Sequence, residues 1–127
     1  MWQPLIARYF WAATEMAQIG FITCEPNPPG VDLDLWRRMV AATPYLRRPP
    51  PRNIINPFTG KPAVHTPPDT DAQILIDNSA IGAISESLAG DHDLDVWASD
   101  ETRDEVERVA VAVAAELGGK YVSFRRY

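Results

Sequence analysis

The chain has 127 residues, of which 46% are hydrophobic and 23% charged, with a formal net charge of −5, the balance of one ordinary globular domain and not of two. At this length a chain buries roughly 65–70% of the surface its unfolded form exposes, so a core forms without a metal or a disulfide. The single cysteine, Cys24, excludes an internal disulfide framework and suits a reducing compartment. No apolar run reaches the ~20 residues of a membrane span, so the expectation is a cytoplasmic protein with no signal peptide and no membrane partner.

In chain order, Trp2, Leu5, Ile6, Tyr9, Phe10 and Trp11 suit either a helix face or an edge strand, and residues 1–15 read as an N-terminal extension if Met16 is a second start. Residues 20–24 are rich in strand formers and stop at Pro26. A helix is predicted over 32–43, where Leu33, Trp36, Met39 and Val40 make one apolar stripe before Pro44. Eleven of the 12 prolines lie between Pro26 and Pro68, and proline fixes φ and removes a backbone donor. Residues 47–71 therefore read as one long ordered loop, with a turn at Asn56-Pro57-Phe58-Thr59-Gly60.

Beyond Pro68, residues 72–77 read as a strand, Asn78-Ser79 as a tight turn and 80–87 as the hairpin partner. After a turn at 89–92, Leu94 and Val96 alternate with Asp95 and Trp97 in a half-buried strand. Thr102-Arg103-Asp104-Glu105 matches a capping box and opens a second helix, whose stripe is Val106, Val109, Ala110, Val113, Ala114 and Leu117, with Glu107 and Glu116 expected in solvent. Gly118-Gly119 ends it and residues 121–124 form a last strand. The predicted architecture is α+β in the order β-α-loop-β-β-β-α-β, two amphipathic helices covering one face of a mainly antiparallel sheet.

Charge is unevenly spread. Residues 35–68 hold six basic side chains and no acid, whereas 69–107 hold 12 acids against Arg103 and sum to −11. Such a dipolar layout attracts a basic partner to the acidic hairpins or an anion to the basic loop, unless the two runs merely pair or face solvent.

Few residues suggest a reaction. Asp91-His92-Asp93-Leu94-Asp95 starts like a calcium loop but carries Val96 where a glycine turn is required and Thr102 where a bidentate Glu is required, so no metal and no cofactor is expected. His65 has no second ligand at zinc spacing, and Cys24 has no histidine nearby in sequence. Neither a nucleophile elbow nor a glycine-rich phosphate loop is present, and no catalytic residue is assigned. Trp36, Tyr45 and Phe58 among the basic residues would suit stacking on nucleic acid, but Trp36 is needed on the helix stripe and the chain as a whole is acidic.

A binding module fits better. Carboxylates on rigid strands and turns steer a basic partner, and the predicted surface is Asp91, Asp93, Asp95 and Asp100 around Trp97, which either anchors the interface or packs under a helix. The alternative is an orphan housekeeping domain that associates with its own copies.

Val31-Asp32-Leu33-Asp34-Leu35-Trp36 followed by Ala41-Ala42-Thr43-Pro44-Tyr45-Leu46 resembles the helix with a central Trp and a following T-P-x-L of short bacterial proteins of unassigned function, grouped with immunity proteins of polymorphic toxin systems. The turn at 56–60, the hairpin around Ile81-Gly82 and Ala114-Ala115-Glu116-Leu117-Gly118-Gly119 fit the same layout over about 17–119, with departures at Glu86 and Arg125-Arg126. The resemblance implies a protein that neutralises a toxin domain, and its motifs carry no catalytic residue.

Overall fold

The computed structural model describes residues 16–124, so the readings of 1–15 and of Arg125-Arg126 lie outside it. The elements are β1 (Ala17–Thr23), α1 (Leu33–Ala42), β2 (Leu46–Arg47), β3 (Arg52–Ile55), β4 (Pro62–His65), β5 (Ala72–Ile76), β6 (Ser79–Glu86), β7 (Leu94–Ala98), α2 (Arg103–Glu116) and β8 (Lys120–Ser123). Six strands form one sheet in the order β2-β5-β6-β7-β1-β8, with every pairing antiparallel. The α+β class and the two helices are as predicted. The loop over 47–71 is not, because β2 joins the main sheet at its edge and β3 and β4 pair as a separate two-stranded sheet. Proline density hid them, since Pro62 sits at the start of β4, where a missing donor is tolerated.

Local chemistry explains the boundaries. Asp32 caps α1 by accepting a hydrogen bond from the Leu35 amide at 3.1 Å, and the helix gives way at Thr43 before Pro44. The β5–β6 turn lies one residue earlier than predicted, at Asp77 and Asn78, both with positive φ as a two-residue type I′ hairpin loop requires. The capping box does not form. Thr102 makes no cap hydrogen bond and donates instead to the Ile81 carbonyl at 2.7 Å, pinning the start of α2 to β6. At the other end Gly118, with φ of 76°, donates to the Ala115 carbonyl and Gly119 to that of Ala114, the paired bonds of a Schellman stop.

One core joins both helices to one face of the sheet. Trp36, Met39 and Val40 from α1 and Val106, Ala110, Val113 and Ala114 from α2 pack with Ile22, Ile74, Ile84, Leu94 and Val96. Val109 is only partly buried at its edge. Glu107 corrects the expectation of a solvent residue: it is half-buried, receiving hydrogen bonds from the Tyr121 and Ser123 hydroxyls and an ion pair from Arg103 at 3.5 Å. Burial alone would raise its pKa, but these donors together hold it below the usual carboxylate range and tie α2 to β8.

Candidate functional site

The second face of the sheet points away from α1 and α2, and the register determines its contents. Pairing of β1 with β7 sets Gln18 beside Trp97 and Phe21 beside Asp95; pairing of β6 with β7 sets Ala83 beside Trp97 and Ser85 beside Asp95. Side chains directly opposite on antiparallel strands share a face, so Asp95 and Trp97 stand among residues drawn from three strands. Trp97 therefore does not pack under a helix. It is half-buried on the face away from the helices, and its indole N–H donates to the Ser85 hydroxyl at 3.1 Å.

Beside this row lies an open concavity of about 360 Å³, lined by Asp91, Asp93, Asp95 and Trp97 together with Gln18, Phe21, Ser85, Ser87, Leu88, Ala89 and Phe124. Four of the five predicted partner-binding residues thus meet. Asp100 does not: it lies exposed in the turn between β7 and α2 and takes no part in the lining. Phe21 and Phe124 form an aromatic wall, ring centroids 5.9 Å apart and tilted by 56°, a favourable offset for two quadrupoles. Gln18, Phe21, Ser85 and Phe124 escaped the sequence reading because strand pairing brings them to the acidic turn, whereas Leu88 lies in the same β6–β7 connection and was passed over as a turn residue. Alternation along β7 was the available signal for which face was involved, but nothing local to β7 names its neighbour β1.

The three carboxylates differ in their surroundings. Asp91 is exposed and accepts from the Asp93 amide at 3.2 Å, which closes the turn. Asp93 is buried and accepts from the Asn27 side chain at 3.0 Å. Asp95 is half-buried and accepts from Gln18 Nε2 at 3.0 Å. Burial, followed by repulsion from Asp91 and Asp93, pushes the Asp95 pKa up to about 6 despite the Gln18 hydrogen bond. Among the described residues no group of three or more His, Cys, Asp or Glu is arranged to hold a metal ion. What the arrangement offers is an apolar wall for a long side-chain stem with carboxylates for its cationic head, the two halves that a lysine or arginine presents.

The raised pKa has a consequence for stability. Between about pH 4 and 6 the native state holds a proton on Asp95 that the unfolded chain releases, so this residue makes stability fall as pH rises through that window. Asp95→Asn should therefore stabilise the protein at pH 7.5 relative to pH 4, by about 1 kcal/mol after allowing for solvent screening. Urea unfolding at the two pH values measures this, and an equal effect of the substitution at both would contradict it.

The other candidate chemistries are placed apart. Cys24 is buried, its thiol donating to the Leu117 carbonyl at 3.6 Å, and burial, with a contribution from Asp93, raises its pKa, so it packs as a protonated thiol. His92 lies in the exposed 91–92 turn and His65 on β4 of the separate hairpin. Trp36 is fully buried, which removes it from any stacking surface, whereas Phe58 is 91% exposed. Arg37 bridges the two charge runs, donating to Asp69 at 3.0 Å as well as to Asp34 at 2.9 Å, but in solvent such pairs contribute little. No helix of the described residues is long and apolar enough to cross a membrane. No protein-family model, no curated protein and no solved structure matches this chain.

Proposed function

We propose that this protein is a binding module that receives a basic segment of a partner protein in the acidic concavity beside β7, and that it acts as an immunity-type protein neutralising a toxin domain. The reading is supported above all by the convergence of Asp91, Asp93 and Asp95 with an aromatic wall on one open concavity. Three carboxylates held this closely repel one another, and a cation placed among them relieves that repulsion, so part of the binding energy is stored in the free protein. The excess of acid over residues 69–107 would add long-range steering of a basic partner. The module needs no cofactor.

The test is kinetic. A basic partner recovered from the native host on the immobilised protein should associate more slowly with an Asp91→Asn/Asp95→Asn variant, with a flatter salt dependence, since charges at a rim act mainly on the on-rate. Trp97→Ala should instead speed dissociation, at a cost of about 2 kcal/mol. An association rate that the double variant leaves unchanged between about 50 and 200 mM salt would overturn the reading.

A further inference from the structure

The β3–β4 hairpin is the part of the molecule that the core leaves unexplained. Among the described residues its strands pair only with each other, and a two-stranded hairpin is marginally stable unless something packs on it. The register puts Asn53 opposite Val64 and Ile55 opposite Pro62, so Ile55, Pro62 and Val64 share one face, and that face is bare: Ile55 is 61% and Val64 66% exposed. Phe58 stands at the tip. It is held outward by a built turn, in which Asn56 Oδ1 accepts from the Phe58 amide at 2.8 Å and the Gly60 amide donates to the Asn56 carbonyl at 2.8 Å. Gly60 takes a φ of 71° that a residue with a Cβ rarely adopts. Four-residue strands lift this tip about 13 Å along the hairpin axis. Lys61 beside the tip and Arg48 just before β3 are both exposed, within a stretch of chain that carries no acid.

An apolar, cationic finger calls for a receptor with an aromatic wall and a negative rim, and this same chain carries one. Leu88, Phe21 and Phe124 supply apolar surface in the concavity beside β7, and Asp91, Asp93 and Asp95 supply the charge. We infer that the hairpin tip of one copy, with Phe58 against the aromatic wall and Lys61 toward Asp91, occupies the acidic concavity of a second copy. The inference rests on the reading that this concavity takes a basic protein segment, and it names that segment. The contact joins two different patches, so it yields a closed dimer only where two copies exchange hairpins about a two-fold axis, and otherwise builds rings or chains. It also places self-association and partner capture in competition for one site.

Sedimentation equilibrium of the full chain, at about 50 mM salt and at protein concentrations up to about 1 mM, measures the association. Phe58→Ser and Lys61→Glu are surface changes and Asp91→Lys lies in an exposed turn, so circular dichroism should show all three folded. Each should weaken self-association at least tenfold. The decisive arm mixes copies carrying Lys61→Glu with copies carrying Asp91→Lys: like charges meet in each preparation alone, opposite charges meet in the mixture, and the mixture should associate more strongly than either. A wild-type chain that stays monomeric overturns the inference while leaving a foreign basic partner for the concavity intact. Association that survives Phe58→Ser, or a mixture no stronger than its components, overturns it as well. Association lost in the hairpin variants but kept in Asp91→Lys overturns it by removing the concavity from the contact.

Discussion

Trp36→Ala is expected to cost about 3–5 kcal/mol, the range for deleting a large buried aromatic. Trp36 is fully buried, the largest side chain to be so among the described residues, and it stands at the junction of α1 with the sheet. Truncation removes the favourable transfer of the indole and leaves a cavity that a helix capped at Asp32 and stopped before Pro44 has little freedom to close. It also strips the Thr70 carbonyl of the indole N–H that reaches it at 2.9 Å, and an unsatisfied buried acceptor adds its own penalty. A domain of this size is stable by only about 5–15 kcal/mol, so the variant should lose from about a fifth to all of its stability at 25 °C. Trp36→Phe keeps most of the volume and loses the hydrogen bond, so the difference between the two variants separates packing from the polar contact. Urea unfolding monitored by circular dichroism provides the numbers, and a loss below about 1 kcal/mol for Trp36→Ala would mean that α1 is not anchored through this residue.

The second large effect is expected at Gly82, against which Val106 of α2 packs. A Cβ there would stand 2.6 Å from Val106 Cγ2 and 2.7 Å from the Trp97 carbonyl oxygen, and the latter belongs to the backbone of β7 and cannot step aside. Gly82→Ala should therefore destabilise by about 1–3 kcal/mol, the usual cost of overpacking, in spite of the entropy alanine removes from the unfolded chain. Gly82→Val should exceed it. Because Val106 is one of the two obstacles, Val106→Ala in the Gly82→Ala background should cost less than Val106→Ala alone, a coupling of about 0.5 kcal/mol or more in a double-mutant cycle. Strict additivity of the two would show that the clash is relieved by movement of β7 and not by the helix side chain.

Much of the architecture was legible because it is written in short-range chemistry. Apolar spacing in 33–40 and 106–117, Pro44 as a stop and Gly118-Gly119 as a terminator each act within one or two helical turns, and each appears at its place. Thr102 shows where such reasoning fails. Its spacing to Glu105 satisfies a capping box, but the folded chain brings the Ile81 carbonyl within 2.7 Å of its hydroxyl, and the side chain serves this tertiary acceptor and makes no bond to the local amide donor. Strands β3 and β4 were missed for a similar reason: proline argues against a central strand, but a two-stranded hairpin has edges on both sides where a missing donor costs nothing.

By itself the sequence determined the two amphipathic helices, the alternation along β7 and the segregation of charge, because periodicity and composition are properties of neighbouring residues. Only the tertiary structure decided that β7 lies between β6 and β1, and with it that Phe21 and Gln18 from one end of the described chain and Phe124 from the other join Asp91, Asp93 and Asp95 in one concavity. Strand order is selected by how the whole apolar surface is buried at once, a sum over contacts distant in sequence. For that reason Asp100, close to the acidic turn in sequence, falls outside the site, whereas Gln18, 77 residues from Asp95, donates a hydrogen bond to it.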